Sequence, residues 1–321
     1  MKSKTYSKII QASQLRTLFT SLLAIAALSA GQTSLCAQTF YVSSFNSGNG
    51  SSVIDKVIST GAVSLFATLP VNSNPYGLAF DGSGNLYVAE ALTSLITKIT
   101  PGGVQSTFAT LPGGSNLLGL AFDGSGNLYV AVNGNPTNNT IDKITAGGSV
   151  SLFATMAPSF NPVGLAFDGS GNLYATGNNN DTNQEVVKIT SGGGVSHFAT
   201  VPARPAGMAF DGSGNLYVAQ PGGDTISKVT SGGSESAYAS LPGGSGPLGL
   251  AFDGSGNLYA ADTGLNQISK ITAGGGAVST FATGISQPHF IVAAPTPEPG
   301  SMGLLLTGTL GLLAARRRRS A

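Results

Sequence analysis

Five aspartates, Asp81, Asp123, Asp168, Asp211 and Asp253, each open the same tetrapeptide, Asp-Gly-Ser-Gly. Repeated short acidic loops invite a calcium-binding reading. Calcium loops, however, need alternating Asp or Asn ligands and a distal Glu, and these turns have neither. Their glycines supply the positive-φ backbone of a tight hairpin, so the turn reading is preferred. Groups for other chemistry are few: two histidines, His197 and His289, and one cysteine, Cys36. A histidine is the commonest general base. Two acids outside the turns, Glu90 and Asp262, end the related hexapeptides NLYVAE and NLYAAD.

The elements that must hold these groups repeat as well. GLAFDGSGNLYVA stands at 77–89 and 119–131, GLAFDGSGNLYAT at 164–176, GMAFDGSGNLYVA at 207–219 and GLAFDGSGNLYAA at 249–261, in steps of 42, 45, 43 and 42 residues. A period of 40–45 residues built from short alternating strands is the signature of a β-propeller. Within one repeat, residues 77–80 and 85–89 predict two strands around the Asp-Gly-Ser-Gly hairpin. Residues 95–100 predict a third and, after Pro101-Gly102-Gly103, residues 104–110 a fourth. Glycine and alanine in the first strand suit the innermost position, where blades crowd around the axis.

The third strand recurs six times, marked by Lys56, Lys98, Lys143, Lys188, Lys228 and Lys270, and the fourth six times, centred on Phe66, Phe108, Phe153, Phe198, Tyr238 and Phe281. The missing first strand is supplied by residues 287–293, which align with 74–80. The N-terminal residues 39–43 match a second strand that has no first before it. The two ends therefore complete one shared blade, which removes open edges without a disulfide. The expectation is an all-β, six-bladed β-propeller of four antiparallel strands per blade over residues 38–294. The lysines are expected to form solvated or inter-blade ion pairs, each of small energetic value.

Over residues 38–294 there are seven basic and thirteen acidic residues, a net charge of −6; the remaining basic residues lie in the tails. A mildly acidic body argues against nucleic acid. Lys2, Lys4, Lys8 and Arg16 precede an apolar run at 18–30 and a small-residue site near Ala37, the order of a secretory signal peptide over residues 1–37. Cleavage there removes Cys36 and leaves a mature chain with no cysteine.

At the other end, Pro297, Glu298 and Pro299 are followed by an apolar stretch at 301–315 and then Arg316, Arg317, Arg318 and Arg319. Residues 295–321 resemble the PEP-CTERM sorting signal. The resemblance implies handling by exosortase-type machinery in a Gram-negative bacterium and delivery to the envelope or an exopolysaccharide matrix. About 15 apolar residues fall short of the ~20 that span a bilayer, so the membrane is a transient stop. An ordinary single-span anchor is the alternative. The repeat itself, over 74–89 and 96–100 and their copies, resembles NHL and streptogramin-lyase-like propellers. That group includes lyases, lactonases and plain binding modules, so its fold is transferable and its activity is not.

In an up-and-down blade the first-to-second and third-to-fourth turns share one face of the disc. Here they are nearly uniform. The second-to-third turns and the links between blades share the other face and vary, so specificity is expected there. The position two before each first-strand Leu or its equivalent points at the channel mouth and holds Tyr76, Leu118, Val163, Ala206, Leu248 and His289. The Pro288-His289 step resembles one that carries the catalytic histidine in streptogramin lyases. There a glutamate ending the following strand helps hold magnesium, and here that strand ends in Ser44. Candidate ligand contacts are Tyr76, Glu90, Phe160, Asp181, Arg204, Asp262 and His289, with His289 the sole catalytic candidate; Tyr76 and Phe160 could stack on a sugar. The preferred reading is a non-catalytic binding or structural module with no cofactor, with exopolysaccharide or envelope proteins as possible partners. The alternative is a metal-dependent lyase or lactonase using His289, Glu90 and Asp262.

Overall fold

The computed structural model describes residues 38–112, 115–134, 139–179 and 183–295. The expected signal peptide, the Pro-Glu-Pro and arginine segments and Asp181 lie outside the described residues. The strands sort into six antiparallel sheets of four. Blade 1 comprises Pro75–Phe80, Leu86–Glu90, Leu95–Ile99 and Gln105–Thr110; blade 2, Ser115–Phe122, Leu128–Gly134, Asn139–Ile144 and Val150–Thr155; blade 3, Phe160–Phe167, Leu173–Asn179, Asn183–Ile189 and Val195–Thr200. Blade 4 comprises Met208–Phe210, Leu216–Gln220, Thr225–Val229 and Glu235–Ser240; blade 5, Pro247–Phe252, Leu258–Asp262, Gln267–Ile271 and Val278–Thr283. Blade 6 unites the ends: Pro288–Ala293 pairs with Phe40–Asn46, followed by Ser51–Val57 and Val63–Thr68. Phe40 faces Ala293 and Tyr41 faces Val292 across that joint. Ala294 N donates to Thr39 O at 2.8 Å, and Gln38 Nε2 to Ala294 O at 2.9 Å. Each innermost strand touches the innermost strands of both neighbours, so the ring is closed.

The first-strand glycines set the spacing at the axis. A Cβ on Gly119 would stand 2.6 Å from Val163 O, and one on Gly164 2.6 Å from Ala206 O. Only a residue without a side chain lets adjacent backbones approach this closely. Farther out, the repeated tyrosine cements blade to blade. Tyr87 meets Phe108 of its own blade edge-on at 4.8 Å and Phe122 of the next at 5.0 Å. The same trio recurs around Tyr129, Tyr174 and, with Tyr238 as one partner, Tyr217. At the closing joint Ala293 occupies the place of the next-blade phenylalanine, and Phe40, fully buried, fills the gap at 4.3 Å from Tyr259.

The lysines depart from expectation. In five blades the ammonium lies over the tyrosine ring of the adjacent strand, 5.4 to 5.7 Å from its centroid. Among the described residues the only lysine ion pair is Lys98–Asp81, within one blade at 3.9 Å. Cross-strand register explains this, since Tyr87 sits directly opposite Lys98 and their side chains share a face.

Candidate functional site

The two faces of the disc are distinguished by their hydrogen bonds. On one, each aspartate closes its own hairpin. Asp81 Oδ1 accepts from Ser83 N at 2.9 Å and Asn85 N at 2.8 Å, and Oδ2 from Asn85 Nδ2 at 2.8 Å and Tyr87 OH at 3.3 Å. The remaining four turns repeat this scheme, which leaves little acceptor capacity for a cation. Partial burial works against ionisation, yet the bonds from Asn85 and Ser83 outweigh it and hold the Asp81 carboxyl below its usual range. A third-to-fourth turn joins this face where Ala273 N donates to Asn257 Oδ1 at 3.2 Å. On the opposite face the second-to-third turns bond to inter-blade links, as in Ala91 N to Asn74 O and Leu92 N to Ser73 O, both 3.1 Å.

That second face carries a cavity of about 490 Å³ at the channel mouth. Tyr76, Leu118, Val163, Ala206 and Leu248 line it, and Asn74, Asn116, Asn133, Arg204, Pro205, Pro221, Ala91 and Leu92 complete its wall. Five of the six mouth positions read from the sequence are thus brought together. The sixth, His289, lies behind Tyr76, stacked on it at 4.2 Å and 28°. The residue is 6% exposed, and Nδ1 lies 2.9 Å from Pro75 O, the contact that assigns the proton to Nδ1. Burial lowers its pKa and outweighs the bond to Pro75, so the ring is neutral at pH 7. Burial also raises the pKa of the Tyr76 phenol, against the attraction of nearby Arg204.

The two acids of the enzyme alternative do not meet His289. Glu90, fully buried, accepts from Thr97 Oγ1 at 2.5 Å and Thr93 Oγ1 at 2.9 Å. Asp262, also fully buried, accepts through Oδ2 from Ser269 Oγ at 2.5 Å and Gln267 Nε2 at 3.1 Å, while Oδ1 has no partner. Burial pushes its pKa up to about 6, with the bonds from Ser269 and Gln267 opposing. Both acids are struts between second and third strands. Gln220 plays the same part with Ser227, and in blade 6 the roles reverse, Ser44 Oγ donating to Asp55 Oδ2 at 2.8 Å. Blade 3 has Gly177 at the strut position, and the Phe160 ring occupies the space its Cβ would take. Phe160 is accordingly 2% exposed and packed into the core, with no ring face for a ligand.

A magnesium site of the kind the family resemblance implies does not fit this donor set. Beside His289 stand a carbonyl, two aromatic rings and the hydroxyls of Ser43 and Ser44, the first donated to Tyr76 O and the second to Asp55. Among the described residues no three His, Cys, Asp or Glu side chains converge. His197 lies on the outer rim, its Nδ1 3.1 Å from Glu185 Oε2. Sequence reasoning misses Asn74 and Asn116 as cavity residues. Both stand three residues before the first-strand glycine, the position that Asn161, Arg204, Gly246 and Gln287 hold in the other repeats, and that register is the signal that could have found them.

A closed all-β ring of six four-stranded blades, with one uniform face and a cavity on the other, defines the class: a six-bladed β-propeller with a mouth on its variable side. A family model described as the virginiamycin B lyase family matches residues 72–299, and the chain belongs to that family. A second model, the PEP-CTERM protein-sorting motif, matches residues 295–319. Comparison with curated proteins finds no match. Among solved structures, a streptogramin B lyase superposes with a TM-score of 0.60 at 19% identity, covering 81% of this chain and 88% of that one. Virginiamycin B lyase from Staphylococcus aureus does so at 0.56 and 20%, covering 68% and 73%. A chain of a nidogen/laminin complex does so at 0.68 and 19%, covering 81% and 99%. At these identities the likeness is one of fold. The sorting motif marks the chain for export to the envelope or beyond through exosortase-type machinery.

Proposed function

We propose that the mature propeller, released from a signal peptide over residues 1–37 and sorted through its C-terminal motif, is a non-catalytic binding or structural module of the cell surface or extracellular matrix. The membrane is met only during sorting, and the partners are matrix glycans or envelope proteins. One observation carries this reading: the carboxylates that a metal-dependent active site would need, Glu90 and Asp262, are spent as buried struts inside their own blades. His289 is left beside the mouth with a carbonyl and aromatic rings for company.

The second reading, a metal-dependent lyase or lactonase, draws on family membership and on a neutral histidine next to the cavity. Protein recovered from the envelope or medium of the producing cells separates the two. The module reading expects no stoichiometric divalent metal, no ring opening of virginiamycin B and no lactone hydrolysis. A tightly held divalent ion together with turnover of either substrate overturns it. The mass of the same material tests sorting: a chain ending before residue 301 is expected, and one retaining Arg316 to Arg319 supports a permanent anchor.

A further inference from the structure

We propose that the mouth cavity takes a carboxylate-bearing sugar, a uronate unit of a glycan, with Arg204 as its anion contact; this rests on the binding-module reading above. Arg204 is exposed on the cavity wall and belongs to neither described ion pair, Lys98–Asp81 or His197–Glu185. It is the sole cation among the residues that line the cavity. The lysines of blades 1 to 5 are committed to tyrosine rings, and that of blade 1 also reaches Asp81 on the uniform face.

Among the described residues no acid on the mouth side forms an ion pair with Arg204. Glu90 and Asp262 are bonded inside their blades, and Asp224 accepts from Gly244 N at 2.8 Å and Gly246 N at 2.7 Å. An otherwise acidic body thus places at the rim of its cavity one guanidinium with no ion-pair partner among the described residues. The planar fork of arginine matches a carboxylate better than any other common anion partner save phosphate.

The rest of the wall argues for a hydroxylated ring behind that carboxylate. Asn74 lines the cavity as well, its Oδ1 buried without a partner. Asn116 and Asn133 face each other across the first two strands of blade 2, so their amides lie side by side on the wall. Carboxamides offer donors and acceptors together, which vicinal hydroxyls can use at once. Tyr76 is braced by His289 and gives the cavity a rigid aromatic surface for the apolar face of a sugar. A volume of about 490 Å³ lies within the 300–1,000 Å³ typical of small-ligand sites.

Calorimetric titration of the full-length protein with trigalacturonate, its methyl ester, maltotriose and triglutamate tests the proposal. Trigalacturonate is expected to bind roughly tenfold or more tightly than the other three, with the preference weakening at high salt. Arg204→Gln should erase the preference, while Arg204→Lys keeps part of it; melting curves report folding of both. Equal binding of the ester or maltotriose, tighter binding of triglutamate, no binding at all, or an unaffected Arg204→Gln protein overturns it. Mass spectrometry of the recovered sugar separates the two layers. A shortened or unsaturated product refutes the non-catalytic reading, while loss of carboxylate preference without turnover refutes only the ligand assignment.

Discussion

Asp262→Asn isolates the carboxyl raised furthest among the described residues. Asp262 is fully buried, and its pKa is about 6 against an ordinary 3.8. Between those values the native state keeps a proton that the unfolded chain has released. Stability contributed by Asp262 therefore falls as pH rises through that interval and stays low above it. A difference near two pKa units corresponds to about 3 kcal/mol. Asparagine preserves the shape and the acceptor for Ser269 and Gln267, but it places an amide nitrogen where Oδ1 has no partner, costing roughly 1–3 kcal/mol at every pH.

The expected result is a variant less stable than wild type near about pH 4, with the deficit shrinking by about 3 kcal/mol by about pH 7, where it vanishes or changes sign. Urea unfolding followed by tyrosine fluorescence at intervals across this range measures it, there being no tryptophan to mask the signal. Asp55 and Asp142, both raised by burial, slope the same way, and His289, lowered by burial, slopes the opposite way. All three are common to both proteins and cancel in the difference. A difference curve flat to within about 0.5 kcal/mol, or a deficit that grows with pH, refutes the assignment of a buried, half-satisfied carboxyl.

Four further substitutions probe the framework. Gly119→Ala, whose Cβ would press on Val163 O at 2.6 Å, should cost about 3 kcal/mol or more, while Gly124→Ala, with open space around its Cβ, should stay within about 0.5 kcal/mol; thermal melts compare the two. Asp123→Ala removes the acceptor of four hydrogen bonds and should cost about 2 kcal/mol or more near neutral pH. Because the Asp123 carboxyl is held below its usual range, its contribution is lost as pH falls through the folded value, so the deficit should narrow in acid melts. Phe40→Ala should cost about 3–5 kcal/mol and loosen the joint between the chain ends, seen as faster hydrogen exchange in Pro288–Ala293 than in any other innermost strand.

The framework is legible in the sequence because it is repeated. Five copies of one hairpin reveal what blades 1 to 5 share: an aspartate to saturate the turn, a glycine to let backbones meet at the axis, and a tyrosine to reach the next blade. Closure is legible too, since residues 287–293 supply a first strand where the N-terminal segment lacks one. Phe40 is harder to foresee. It compensates for Ala293 on the facing strand, a trade of volume between two chain ends that no repeat displays. The lysines are legible from register: each stands opposite a tyrosine on the neighbouring strand, and in blades 1 to 5 its ammonium lies over that ring.

The site yields less, and for a physical reason. Side-chain parity along a strand puts Glu90 on the face of Leu86 and Val88, between blades and away from the channel, although its place at a strand end invites the opposite view. Phe160 is drawn inward because Gly177 leaves a strut position empty, a pairing visible only once both strands are in register. Much of the cavity wall keeps the period, Asn74, Asn116 and Arg204 standing at one repeat position and Tyr76, Leu118, Val163, Ala206 and Leu248 at another, but the residue types change from blade to blade. Periodicity therefore shows where the mouth lies and not what it can hold. Arg204, the only arginine of the described residues, stands where the other repeats carry Asn, Gly or Gln, and that difference places a guanidinium with no ion-pair partner among the described residues on the variable side of the ring.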